Sequence, residues 1–306
     1  MTVGGGKILA GRLALILTCL VWVAQAQRVI DADKIEIQTV QVADGLYVLV
    51  GEGGNIGVSV GSDGILLVDA QYAPLHRKIM AAIRKISQQP IRYLINTHHH
   101  TDHVEGNEAM AKAGAVIIAH ENLRERLSAG DPNPGNPARA TPPAPKQALP
   151  VLTYSDSITL HFNGEEIYVY HPPPAHTDGD SVVYFRRANV IHVGDLPSSI
   201  RYPRIDTGNG SVDGMIAAAD HILQIANQDT KIIPGHIGTA ISVKDLQEQR
   251  DMFVVVRDRI LSGIRAGKTM EQIIASKPTA EFDERRKGRL APDGFVRLLY
   301  QTMIRR

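Results

Sequence analysis

The segment Asn96-Thr97-His98-His99-His100-Thr101-Asp102-His103 gathers four histidines and a carboxylate directly after an apolar run, Ile91 to Ile95. Imidazole and carboxylate are ligands that Zn²⁺ takes in catalytic sites, where a coordination position stays open for water. Read as His-x-His-x-Asp-His, one loop can serve two metal ions. His98 and His100, two apart, can point to the same side, while Asp102 and His103 reach toward a neighbouring position. Histidine-rich tracts also occur as tags or solvated loops. This one is internal, follows a strand-like run and carries an acid at fixed spacing, so metal ligation is the expected chemistry.

Three later positions repeat that chemistry and placement. His176 stands in Pro172-Pro173-Pro174-Ala175-His176-Thr177-Asp178-Gly179-Asp180, Asp195 ends the run Val190-Ile191-His192-Val193-Gly194-Asp195, and His236 follows Lys231-Ile232-Ile233 through Pro234-Gly235. Each is a ligand type at the carboxyl end of an apolar strand, where open α/β sheets gather their sites. Singly each is weak evidence; with the first cluster they form a pattern.

The elements that must hold these residues are legible from periodicity. Short β-like runs at 35–42, 46–50, 57–60 and 65–68, separated by Gly-rich turns, predict a meander of hairpins. Gly53-Gly54 has no following Lys-Ser/Thr and opens a strand, so it is not read as a phosphate loop. Leu75, Ile79, Ala82, Ile83 and Ile86 recur at helical spacing through 74–86. Strand 91–95, a helix near 107–112, strand 115–119 and a helix at 121–127 follow. Strands resume at 157–162, 166–171, 181–185, 190–193 and 231–233, with helices at 213–225, 243–264, 270–275 and 294–303. The alternation predicts an α/β sandwich of two similar halves packed sheet to sheet, its site at strand ends. Residues 130–150 are too rich in proline for regular structure and read as a stiff connection or a flap over the site.

The chain has 306 residues and a formal net charge of +1, which gives no electrostatic reason to expect nucleic acid as a partner. Lys7 and Arg12 precede an apolar run, Leu13 to Val23, and Ala24-Gln25-Ala26, which reads as an export leader cleaved after Ala26. The expected mature protein, 27–306, is periplasmic or secreted, with no stable membrane insertion. Cleavage removes Lys7, Arg12 and the single cysteine, Cys19, leaving 31 basic against 32 acidic residues. Neither a disulfide nor a thiolate is then available.

From about Ile37 to His236 the chain resembles the metallo-β-lactamase superfamily of hydrolases, with a helical C-terminal extension beyond. The family's His-x-His-x-Asp-His falls on His98, His100, Asp102 and His103, its Gly-His-Thr element on Ala175-His176-Thr177, its Gly-Asp element on Gly194-Asp195 and its final Gly-His on Gly235-His236. Ala175 stands where Gly is usual. Asp69 matches an acid that supports the site from behind. The resemblance implies an αβ/βα four-layer sandwich and two Zn²⁺ per chain: one held by His98, His100 and His176, the other by Asp102, His103 and His236, with Asp195 bridging or beside them. His99 is expected to be structural, and His76, His120, His161, His171, His192 and His221 to be ordinary histidines.

Two zinc ions roughly 3.5–4 Å apart make water a nucleophile at neutral pH. Asp102 is expected to orient that water and shuttle its proton. The implied enzyme is a zinc-dependent hydrolase of a small-molecule carbonyl substrate, with β-lactam amides plausible as main or side substrates. An esterase, lactonase or thioesterase is the alternative, and a non-catalytic metal-binding protein a more distant one. Most β-lactamases of this type have Cys or Ser where Asp195 stands, which favours the thioesterase and general hydrolase branches. Arg201 and Arg204 are weighed as a substrate-carboxylate clamp against solvated loop charges.

Overall fold

Four strands rich in β-branched and aliphatic residues open the ordered chain: β1 (Gln38–Ala43), β2 (Leu46–Val50), β3 (Ile56–Gly61) and β4 (Gly64–Val68). They pair antiparallel in sequence order, as the short Gly-containing turns between them require. The computed structural model describes residues 1–2, 30–131, 140–196, 201–286, 288 and 290–304. The expected leader and its cleavage site, the Pro-Asn-Pro-Gly stretch at 132–139 and residues 197–200 lie outside the described residues. No described helix is long and apolar enough to cross a membrane.

After β4 the chain switches to parallel pairing. Helix α1 (His76–Ile86) crosses to β5 (Ile91–Ile95). The short helices α2 (Thr101–Val104) and α3 (Asn107–Lys112) lead to β6 (Val116–His120), and α4 (Glu121–Ala129) and a connection lead to β7 (Leu152–Tyr154). The seven strands form one sheet in the order β1 to β7. A second sheet runs β12-β11-β10-β9-β8, from β8 (Ser157–Phe162), β9 (Glu165–Tyr170), β10 (Val182–Phe185), β11 (Val190–His192) and β12 (Lys231–Ile233). Its pairs are antiparallel except β11 with β12, which helix α5 (Val212–Ile225) connects. Helices α6 (Val243–Arg265), α7 (Met270–Ala275) and α8 (Pro292–Met303) complete the chain.

Three apolar clusters make the layers. Leu46, Val48, Val68, Ile95, Val169, Val183 and Phe185 belong to the cluster between the sheets. Ile79, Ile83 and Met110 of α1 and α3 pack on the outer face of the first sheet. Met215, Ile222, Phe253, Val256 and Phe295 of α5, α6 and α8 pack with residues of the second. Helix, sheet, sheet, helix is the four-layer αβ/βα arrangement. Phe185 is fully buried where the sheets meet, so Phe185→Ala is expected to lower unfolding free energy by about 3–5 kcal/mol in urea titrations.

The elements differ from the sequence reading at β7, which periodicity did not mark, and in two further places. The end of the histidine segment is the helical turn α2 rather than a loop, with His100 in extended conformation at its N-cap. Residues 140–150 are tied down: Asp131 and Thr141 exchange backbone hydrogen bonds, Ala144 N–H donates to Leu127 O (2.8 Å), and Asn107 Nδ2 donates to Ala148 O (3.0 Å). That described part is therefore an anchored connection; its remainder falls among 132–139.

Candidate metal centre

The parallel strands β4, β5 and β6 and the parallel pair β11–β12 end on the same side of the sandwich, so the polar residues that follow them converge. Asp69 N–H donates to Ile95 O (2.8 Å) and Ala70 N–H to His103 O (2.8 Å), which locks the turn after β4 onto the histidine segment after β5. Val193 N–H donates to Ile233 O (3.0 Å) and Gly235 N–H to Gly194 O (2.6 Å), bringing Asp195 beside His236. Asn55 clamps the His236 loop: its Nδ2 donates to Pro234 O and Gly238 O, both at 2.8 Å, and its N–H to Gly235 O.

All seven expected ligands meet there. His98, His100 and His176 form one convergent group, Asp102, His103 and His236 a second, and His98, His103 and Asp195 a third, the ligand atoms of each lying within 4.8 Å of one another. Asp195 stands between the two triads, with Oδ1 3.3 Å from His103 Nε2 and 3.4 Å from His236 Nε2, and Oδ2 3.7 Å from His176 Nε2. His103 and the His176 side chain are buried at the floor, while His100, Asp102 and His236 retain 26–30% exposure and mark the mouth.

Hydrogen bonds on the far side of each ring decide what the near side presents. Thr97 Oγ1 donates its proton to Asp69 Oδ2 (2.7 Å), so its contact with His98 Nδ1 (3.0 Å) is made with the proton on the ring. Asp69 Oδ2 also accepts from His103 Nδ1 (2.8 Å), the Arg204 carbonyl from His176 Nδ1 (2.8 Å) and Asp206 Oδ2 from His100 Nε2 (3.0 Å). Each acceptor holds the ring proton outside, leaving a lone pair on the inward nitrogen of the neutral ring. His98 Nε2 and Asp195 Oδ1 are accordingly buried without a hydrogen-bond partner, and His176 Nε2 faces His100 Nδ1 at 3.0 Å. Buried acceptors such as His98 Nε2 and Asp195 Oδ1, left without a partner, suit cations. The donor set fits two ions of the zinc type.

The surrounding charges agree. Asp195, above all, pushes His236 up to about 9, so the pocket favours positive charge. Burial pushes His98 well down, which keeps its inward nitrogen unprotonated. Burial would raise Asp102, but its hydrogen bond with His236 and the neighbouring His103 hold it well below the usual carboxylate range. There is no room to spare: a Cβ at Gly235 would lie 2.1 Å from Asp195 Oδ1, and one at Gly54 would lie 2.2 Å from the His103 ring.

The family model for the metallo-beta-lactamase superfamily matches residues 49–236, more than half of the chain. The chain belongs to that superfamily. A linear primary-alkylsulfatase from Pseudomonas sp. (strain ATCC 19151) is 25% identical over 252 residues, covering 69% of this chain and 47% of the relative. A hydroxyacylglutathione hydrolase from Pelagibacter ubique (strain HTCC1062) is 27% identical over 122 residues, 40% of this chain and 42% of the relative. The chain thus spans about half the length of the curated relatives it matches. Among solved structures, the stereoselective inverting sec-alkylsulfatase Pisa1 from Pseudomonas sp. superposes with a TM-score of 0.67 at 19% identity, over 87% of this chain and 50% of that one. A metallo-beta-lactamase from Pontibacter korlensis superposes at 0.60 and 17% identity, over 72% and 99%. These likenesses are of fold.

Other residues find places around the metallo-beta-lactamase-fold site. Asp69 is fully buried behind it. His99 lies outside both triads, its Nε2 3.7 Å from Asp206 Oδ2. His120 caps α4 and stacks on His171, and His192 meets Asn55 O between the sheets. Arg201 and Arg204 are exposed; only the Arg204 backbone carbonyl reaches a candidate ligand. Two acids were not legible in the sequence. Asp180 accepts from His176 N–H (2.8 Å), Thr177 N–H and Thr177 Oγ1 (2.7 Å), folding the loop that presents His176. Asp206 holds His100; burial would raise it, but His100, His176 and His99 keep it well below the usual range.

Proposed function

We propose that this chain hydrolyses an ester-type bond of a small molecule, using two zinc ions: one held by His98, His100 and His176, the other by Asp102, His103 and His236, with Asp195 between them. The carrying observation is the set of inward nitrogens left as lone pairs by outward hydrogen bonds. Zinc ions in such a site supply Lewis acidity and make water nucleophilic at neutral pH. The chain's own residues do the rest. Asp102 lies at the mouth with its Oδ2 3.3 Å from His236 Nε2, placed to orient the attacking water, hold its proton at a carboxylate oxygen and pass it to solvent. Asp195, 19% exposed and lined by His103, His176 and His236, keeps the two triads at fixed spacing.

Esters are placed ahead of β-lactam amides because an aspartate stands at 195, and because the named relatives are an alkylsulfatase and a thioester-type hydrolase. The alkylsulfatase match covers more of the chain, so alkyl sulfate esters are the first substrate class, thioesters the second. β-Lactam hydrolysis is a side activity in this reading. The basic and apolar leader motif supports export of the working enzyme.

The zinc-loaded protein is expected to turn over an alkyl sulfate or an acyl thioester, lose that activity in chelator and regain it with Zn²⁺. A chromogenic cephalosporin run alongside reads the β-lactam arm; faster turnover there than on either ester would overturn the ester assignment. A protein that binds two zinc ions yet cleaves none of the three would sink the proposed substrate class.

A further inference from the structure

Of the four histidines with outward partners, His100 depends on a residue far away in sequence and on a segment without regular structure. We propose that Asp206 is the positioning residue for His100: its carboxylate holds the proton on Nε2 and so turns Nδ1 toward the ion shared with His98 and His176. This rests on the two-ion reading above. Asp206 Oδ2 lies 3.0 Å from His100 Nε2, while His100 Nδ1 lies 3.0 Å from His176 Nε2, so the ring is spanned between acid and site. With no acceptor on the outside, the neutral ring is free to place its proton on Nδ1, where it would block ligation.

The same segment governs a second ligand. Arg204 O accepts from His176 Nδ1, and Asp206 N–H donates to His176 O (2.9 Å). Residues 204–206 thereby hold the outer edges of two of the three ligands in the first triad. The segment is itself moored to the C-terminal helices. Tyr202, 3% exposed, stacks on Phe295 of α8 with ring centroids 4.5 Å apart, and its hydroxyl donates to Asp283 Oδ1 (2.6 Å). Ile205 is buried in the same cluster as α5, α6 and α8. The helices beyond His236 thus have a part in the site, through the Tyr202–Asp206 segment.

The backbone role of Asp206 survives side-chain substitution. Its N–H still reaches His176 O, and its carbonyl still accepts from Asn209 N–H and Gly210 N–H (3.2 and 2.7 Å). Asp206→Ala therefore removes the acceptor and leaves the loop's own bonds in place. Asp206→Asn keeps an acceptor oxygen without the charge. His98→Ala deletes a ligand outright.

The test is competition of the zinc-loaded protein against a chromophoric chelator, with thermal melts and the visible spectrum of the Co²⁺-substituted protein. Wild type is expected to give up two equivalents. Asp206→Ala is expected to melt within a few degrees of wild type when metal-free, but to hold one equivalent roughly 10–100-fold more weakly, with a changed Co²⁺ spectrum. Asp206→Asn should fall between. Unchanged zinc affinity and spectrum in Asp206→Ala, while His98→Ala loses an equivalent, would overturn the positioning role and leave the two-ion reading standing. A third equivalent in wild type, lost in both Asp206→Ala and His99→Ala, would also overturn it, making Asp206 a ligand. A wild type that binds no zinc would bring down the site reading, and this proposal with it.

Discussion

Asp195→Ala is expected to reduce hydrolysis by more than about 100-fold, beyond the roughly 10–100-fold typical of losing an outer-shell partner, and to lower bound zinc below two per chain. Among the described residues Asp195 is the side chain that reaches both triads, through His176 on one side and His103 and His236 on the other. Removing it takes away the negative charge that most strongly favours a cation beside His236. The adjacent Gly235, whose Cβ would lie 2.1 Å from Asp195 Oδ1, has no side chain to take its place. Metal content by atomic emission and turnover of the best ester substrate check this together. Two retained zinc ions with near wild-type turnover would show that Asp195 is not part of the working centre.

Asp195 was visible in the sequence because it ends an apolar strand and shares its ligand type with the histidine segment. The same holds for His98, His100, Asp102, His103, His176 and His236, all of which follow strands whose boundaries apolar periodicity marks. The helices α5 and α6 came within a residue or two of their sequence limits for the same reason. What was hidden lies where periodicity is lacking. Asp206 sits in an irregular segment and acts from 106 residues away on His100, so neither spacing nor strand context marks it. Arg204 attracted attention for its guanidinium, yet it is the backbone carbonyl that holds His176, a role any residue type can fill. The short edge strand β7 has three residues after a proline-rich stretch, too few to show an alternation. The turn α2 escaped because its four residues are read first as ligands.

Asp69→Asn is expected to be the most damaging substitution that leaves the packing nearly unchanged. The Asp69 carboxylate is fully buried and accepts from Thr97 N–H (2.7 Å), Thr97 Oγ1 (2.7 Å) and His103 Nδ1 (2.8 Å). An ionised carboxylate only accepts; an amide of the same shape must donate with one end. Oδ1 receives the backbone N–H of Thr97, so the amide nitrogen of Asn falls where Oδ2 now serves both His103 and the threonine hydroxyl. There it drives the His103 proton from Nδ1 to Nε2, onto the atom that should face the ion. The Thr97 hydroxyl loses its acceptor as well, so its proton turns toward His98 Nδ1 and reverses that tautomer too. One isosteric change thus disturbs a ligand in each triad. A comparable tautomer reversal behind a catalytic histidine costs about 10⁴-fold in serine proteases, and a loss of at least about 10²-fold in turnover with weakened zinc is expected here. Thermal melting should move far less than activity, because the side-chain volume is kept. An Asp69→Asn protein with normal turnover and two tightly held zinc ions would mean that His103 does not bind metal through Nε2.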